Sequence, residues 1–210
     1  MDGQFSTSAA HQANSSRRGF NLTAHVRTLC ADVTTRLPDL SHIDMARVAV
    51  AFCQARKRVS HGMHASLTPM RFECGSPYTV RHGRRYTCQR LYDSHGREFL
   101  YILSIYLPRF MDCSFKEKLV TVFHELWHIS PDFDGDIRRH KGRCHVHSHS
   151  QKQYDAHMET LVDEWLALSP PDHLYQFLRL RFDELSCHQG PIYGTKIPNP
   201  KLIPADWEAQ

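Results

Sequence analysis

Residues 121–130 read TVFHELWHIS, and within them His124, Glu125 and His128 have the types and spacing for metal-assisted hydrolysis. On a helix, side chains four apart lie on one face, one turn above the other. Two imidazoles so placed can share one ion. Zinc takes imidazole readily, and a catalytic zinc site uses three protein ligands and keeps a position for water. Glu125 lies next to that face, where its carboxylate reaches the water rather than the metal. Zinc lowers the pKa of such a water toward ~7, and the glutamate can take its proton as the oxygen attacks a peptide carbonyl. This is the H-E-x-x-H signature. With 16 histidines among 210 residues the pattern can also arise by accident, so the weight falls on the element that carries it.

That element is well marked. Ser114 and Glu117 form an S-x-x-E capping box, and Phe115, Leu119, Val122, Phe123 and Leu126 follow as an apolar stripe at helical spacing. Pro131 closes the run. The pattern predicts a helix from Ser114 to about Ile129.

A third ligand must come from elsewhere. An extended histidine pattern would need Gly at 131 and His at 134, where Pro131 and Asp134 stand. A downstream E-x-x-x-D on a helix is offered by Glu159 and Asp163, but Glu159 falls roughly 100° or more from the core face defined by Tyr154, Met158 and Trp165. The histidines of the connection "PDFDGDIRRHKGRCHVHSHS" remain. His145, His147 and His149 share a face if that segment is extended. His147, just before a Ser150/Gln153 capping box, is the first choice, with His140, His145 and His149 as alternatives.

Around this centre the spacing predicts a helix from Asn21 to Leu37 ended by Pro38, then a second helix from Ser41 through "MARVAVAFCQARKR". Asp44 would complete its cap and Leu40 its hydrophobic staple. Residues 66–107 turn β-rich: "SLTPMRFE", "RRYTCQRLY" and "EFLYILSIYL" read as a three-stranded antiparallel meander, the last strand covered on both faces. A helix from Ser150 to about Leu168 and another within "SPPDHLYQFLRLRFDEL" follow. The expectation is an α+β fold: helices packed on a small three-stranded antiparallel sheet, with the H-E-x-x-H helix in a zincin-like place. Residues 1–20 read as a disordered polar tail, 21–187 as a single domain, and 188–210 as an extended Pro-rich tail.

This order of capped helix, three strands, HELWH helix and downstream histidine leading into a helix resembles the SprT-like, minigluzincin-type zinc metallopeptidases. It also resembles related bacterial and phage metallopeptidases. The likeness spans roughly residues 41–168. It implies Zn2+ held by His124, His128 and a downstream histidine, with Glu125 as catalytic base. It also implies a protein or peptide substrate pairing with a strand at 98–107 beside the cleft. Two features depart from it: the four-cysteine zinc ribbon common after the core is absent, and "HSHSQKQY" lacks the glycine that commonly follows the third histidine.

Composition sets the outer bounds. Hydrophobic residues make up 41% and charged residues 23%, as in an ordinary globular chain. No apolar run is long enough for a membrane-spanning helix. Seven cysteines without a C-x-x-C pair, and a start without a secretory h-region, point to a reducing, cytoplasmic setting. The net charge is +4, with basic clusters at 55–58, 81–85 and 138–143 that suit solvated loops or weak nucleic-acid contact. "DFDGD" reads as a polar turn rather than a calcium loop, and Arg138 and Arg139 as solvated cations able to clamp a carboxylate or stabilise an oxyanion. Tyr154 and His157 read as packing residues, and the cysteines as small buried hydrophobes. The rival to a zinc-dependent metallopeptidase is a non-catalytic nucleic-acid-binding or regulatory module with structural zinc.

Overall fold

The computed structural model describes residues 19–55, 62–139 and 151–205, with the side chains of 151–155 left aside. The chain is mixed α/β. Its frame is a three-stranded sheet of β2 (Val48–Gln54), β6 (Tyr101–Leu107) and β3 (Ala65–Pro69), with β6 in the middle. β2 runs parallel to β6 and β3 antiparallel to it. The sheet is therefore mixed, not the antiparallel meander expected. The middle one of the three expected strands, β5 (Arg84–Cys88), pairs instead with β4 (Tyr78–Arg81) and β8 (Leu202–Pro204) in a second sheet. Strand propensity marked these segments, but pairing is decided by long-range contacts that propensity does not carry.

The helix expected from Ser41 is also corrected. Two 3-10 turns, Pro38–Leu40 and Met45–Arg47, lead into β2. Asp44 does cap, accepting from the Ala46 N–H at 2.9 Å, but over a single turn. "VAVAFCQ" then goes extended because both of its faces find apolar cover. Val48 and Val50 join the large core under the helices, while Ala49 and Ala51 join Met70 and Ile102 in a smaller core beneath Cys88, Leu91, Phe99 and Ile197. A parallel strand buried on both sides reads as a continuous apolar run, which a short helix segment also does.

α1 (Leu22–Arg36) matches its expected span, starts on the Asn21 side chain and buries Leu22, Val26, Leu29, Cys30 and Val33. The motif helix, α2 (Arg109–Asp112) being one short turn before it, is α3 (Phe115–Trp127). It begins on the expected Ser114/Glu117 capping box and ends with His128 as its C-cap. α4 (Gln151–Ala167) packs against α3, with Phe123 edge-on to Trp165 at 6.0 Å. The Trp165 indole N–H reaches Asp32 on α1 at 2.9 Å. These three helices thus close over one face of the sheet.

The last expected helix is broken. Two 3-10 turns, Asp172–Leu174 and Gln176–Arg179, precede α5 (Phe182–Gln189). Buried Lys118 supplies the reason: its ammonium donates to the carbonyls of Leu178 at 3.0 Å and Leu180 at 2.7 Å. Those carbonyls are turned to the lysine instead of continuing a helix. The C-terminal segment is extended, with β7 (Ile192–Tyr193) pairing with β1 (Phe20–Asn21) and Thr195 accepting from the Phe52 N–H at the outer edge of β2. Among the described residues no helix is long and apolar enough to cross a membrane.

Candidate functional site

α3 presents its motif where it crosses β3. The half-buried rings of His124 and His128 stand one helical turn apart, their Nε2 atoms 2.8 Å from each other and their planes at 80°. Both nitrogens thus converge on one point. Two tetrahedral zinc ligands at about 2.05 Å would hold their nitrogens about 3.3 Å apart, so the pair needs only a small opening to share an ion. Imidazole nitrogens suit zinc as donors.

Glu125 points in a different direction. Its residue is only 9% exposed, and its carboxylate accepts the backbone N–H of Leu67 on β3. Burial pushes its pKa up from 4.5 to about 7, the Leu67 contact opposing that rise. The Leu67 donor follows from strand register. His64 and Met70 bond across to Tyr106 and Leu100, so the even-numbered residues of β3 face β6. Ala65 and Leu67 therefore turn their backbone polar groups outward, toward the edge that borders α3. No sequence signal could have named Leu67, because the group it contributes belongs to the backbone.

This geometry corrects the expected cleft strand. Residues 101–107 form β6, which has β2 on one side and β3 on the other and offers no edge. The edge beside the motif helix is β3.

The segment after α3 holds the end of the helix. Ser130 and Asp136 bond through their backbones, and Ile129 bridges Ile137. Arg138 donates its backbone N–H to the His128 carbonyl at 2.7 Å and its Nε to the Trp127 carbonyl at 2.8 Å. Its guanidinium lies 4.0 Å from the Trp127 ring centre. A cation here also suits the negative end of the helix dipole. Arg138 is thus built into the helix terminus, and Arg139 is bidentate to buried Asp136. Neither is simply solvated, as the sequence suggested.

"DFDGD" is the expected turn, stapled from below by a residue the sequence did not single out. The Tyr101 hydroxyl accepts the Gly135 N–H and donates to the Asp136 carbonyl, both at 2.9 Å. Gly135 has φ +91°, and a Cβ there would lie 2.5 Å from Arg71 Cγ, so glycine is required.

His157 packs edge-on against Trp127 at 4.6 Å, the packing role expected of it. Glu159 is exposed and shares Lys116 with Asp163, whose carboxylate is 2.7 Å from the ammonium. Both acids are engaged away from the histidine pair. His147, its alternatives His140, His145 and His149, and the Ser150/Gln153 cap lie outside the described residues, as does the Tyr154 side chain. Among the described residues no group of three His, Cys, Asp or Glu side chains is placed to hold a metal. A cavity of about 610 Å³ lined by Phe20, His25, His173, Phe177, Arg179 and His188 includes none of the motif residues.

Fold and site together define a mixed α/β protein with a converging imidazole pair and a buried carboxylate on one helix. The chain belongs to the family described as "Putative phage metallopeptidase", whose profile matches residues 21–177. No curated protein and no solved structure matches it. The match gives the phage part of the expected resemblance, and with it a metallopeptidase family, and does not single out the SprT-like or minigluzincin group.

Proposed function

We propose that this protein is a zinc-dependent metallopeptidase that hydrolyses peptide bonds, with His124, His128 and His147 as metal ligands and Glu125 as the catalytic base. The observation that carries the reading is the convergence of the two Nε2 atoms at 2.8 Å beside a buried carboxylate held by an edge strand. The family assignment supports it.

Zinc, when bound, supplies a Lewis acid that acidifies water and polarises a carbonyl. The remaining work falls to the chain. Glu125 takes a proton from the attacking water at its carboxylate and returns it to the departing amine. Burial puts its pKa near neutrality, where one group can both accept and release a proton. The Leu67 N–H orients the carboxylate against the helix. An extended substrate pairs along the β3 edge through the outward polar groups of Ala65 and the Leu67 carbonyl, the Leu67 N–H being taken by Glu125. Arg138, through the Trp127 and His128 carbonyls, keeps the last turn of α3 from fraying and so holds His128 in register with His124.

The test is Glu125→Gln in the full chain, assayed on an unstructured protein substrate after zinc loading. Retained zinc with hydrolysis lost by about 100-fold or more is expected for removal of a general base. Undiminished hydrolysis in that variant would remove Glu125 from the reaction.

A further inference from the structure

The positive charge of the chain is concentrated. Segments 74–92 and 190–205 contain six of the 26 Lys and Arg residues and none of the 22 Asp and Glu residues. Those segments therefore carry +6 and the rest of the chain −2, counting histidine as neutral. The fold joins them, since β4, β5 and β8 come from these two segments and make up the second sheet.

The charge is sharpest at the β4–β5 hairpin. His82 (φ +50°) and Gly83 (φ +75°) form its two-residue turn, with both φ values positive as tight hairpins require. Arg81, Arg84 and Arg85 surround that tip and are exposed, and none pairs with a carboxylate among the described residues. Arg81 stands directly opposite Arg84. Like charges at that position destabilise a hairpin, a local cost that no carboxylate among the described residues offsets. Arg85 lies 3.6 Å over the Tyr78 ring, and Tyr86, next along β5, is half-buried. Lys201 is exposed beside Gln89 at the end of β5 away from the tip, and Arg90 has Glu98 at 3.7 Å.

The turn that leads into the hairpin is tied to the body: the Cys74 N–H donates to Asp136 at 3.0 Å, and Arg139 reaches Glu73 at 3.9 Å. A hairpin tip ringed by arginines fits a polyanion, because guanidinium groups recognise phosphate in a bidentate way.

We propose that the tip of the β4–β5 hairpin is a nucleic-acid-binding element in which Arg81, Arg84 and Arg85 contact backbone phosphates. The proposal does not depend on the peptidase reading.

Fluorescence anisotropy with a labelled single-stranded oligonucleotide and with its duplex tests it in the full-length protein. Neutralising three phosphates gives a log K against log salt slope of about −2.1 on a single strand and about −2.7 on a duplex, or about 18- to 42-fold weaker binding from 50 to 200 mM salt. The R81A/R84A/R85A variant should lose that part of the slope, and R81K/R84K/R85K should keep it. Unchanged binding by the alanine variant overturns the proposal, as does failure of the wild type to bind either oligonucleotide at about 50 mM salt. Labelled poly-glutamate binding as tightly as the oligonucleotides would reassign the surface to acidic proteins. The assay reads no hydrolysis, so failure here leaves the peptidase reading standing.

Discussion

Glu125→Gln should make the metal-free protein more stable while removing its activity. The folded chain holds this carboxyl at a pKa of about 7 against an ordinary 4.5, because burial penalises the charged form. Below pH 4.5 the group is protonated in both folded and unfolded chains, and it costs nothing. Between 4.5 and 7 the unfolded chain gives up the proton and the folded chain does not, so the folded state loses ground as pH rises. Above 7 the full shift applies, worth about 3 kcal/mol at about 1.36 kcal/mol per pH unit. Glutamine of nearly the same shape has no such term, and its carbonyl can still accept the Leu67 N–H. Urea unfolding of EDTA-treated wild type and variant at pH 4.5 and 7.5 should therefore show little difference at the lower pH. At the higher pH it should show a gain for the variant of about 3 kcal/mol. A variant gain that is absent at pH 7.5, or the same at both pH values, would refute the burial argument. A costly group kept at the position proposed for the catalytic base is the usual stability–activity trade-off.

Other residues make separate demands. Lys118→Met strips the donor from the Leu178 and Leu180 carbonyls, and should cost about 2 kcal/mol or more in urea unfolding, given about 1–3 kcal/mol per stranded acceptor. A variant as stable as wild type would mean that relief of the desolvated ammonium offsets the loss. Tyr101→Phe deletes both bonds to the 134–136 turn, so the Gly135 amide should lose protection in hydrogen exchange, and unchanged protection would contradict the staple. Ser114→Ala should cost about 1 kcal/mol through the lost cap. The Ser114 hydroxyl and N–H hold the Glu117 carboxyl below the usual range. That stabilisation is present above the ordinary glutamate pKa and is lost as pH falls through the lowered value, so the acid limb of the stability curve should be flatter in the alanine variant.

The parts of the fold legible in the sequence were those governed by local chemistry. The start of α3 was marked by Ser114 and Glu117, and its buried face by Leu119, Val122, Phe123 and Leu126, all within one helical stretch. β6 was visible as an apolar run because both of its faces are covered. The β2 segment has the same quality, yet its short length and the Asp44 cap also fit a helix, and the parallel partner that decides the matter lies some fifty residues away. Sheet membership followed the same rule: "RRYTCQRLY" was correctly extended, but nothing local says that its partners are β4 and the C-terminal β8. At the proposed site, the placing of His124 and His128 on one face of α3 was readable from their spacing and the capped helix that carries them. Leu67, Tyr101 and the anchoring use of Arg138 were not, since they act through backbone groups or long-range contacts.

Zinc stoichiometry tests the central claim most directly. Wild-type protein loaded with zinc, desalted and measured by plasma emission should hold about one ion per chain. His124→Ala and His128→Ala should each lose it, while Glu125→Gln keeps it. A wild type that retains no zinc, or a His124→Ala variant that retains a full equivalent, would contradict a metal centre on this helix.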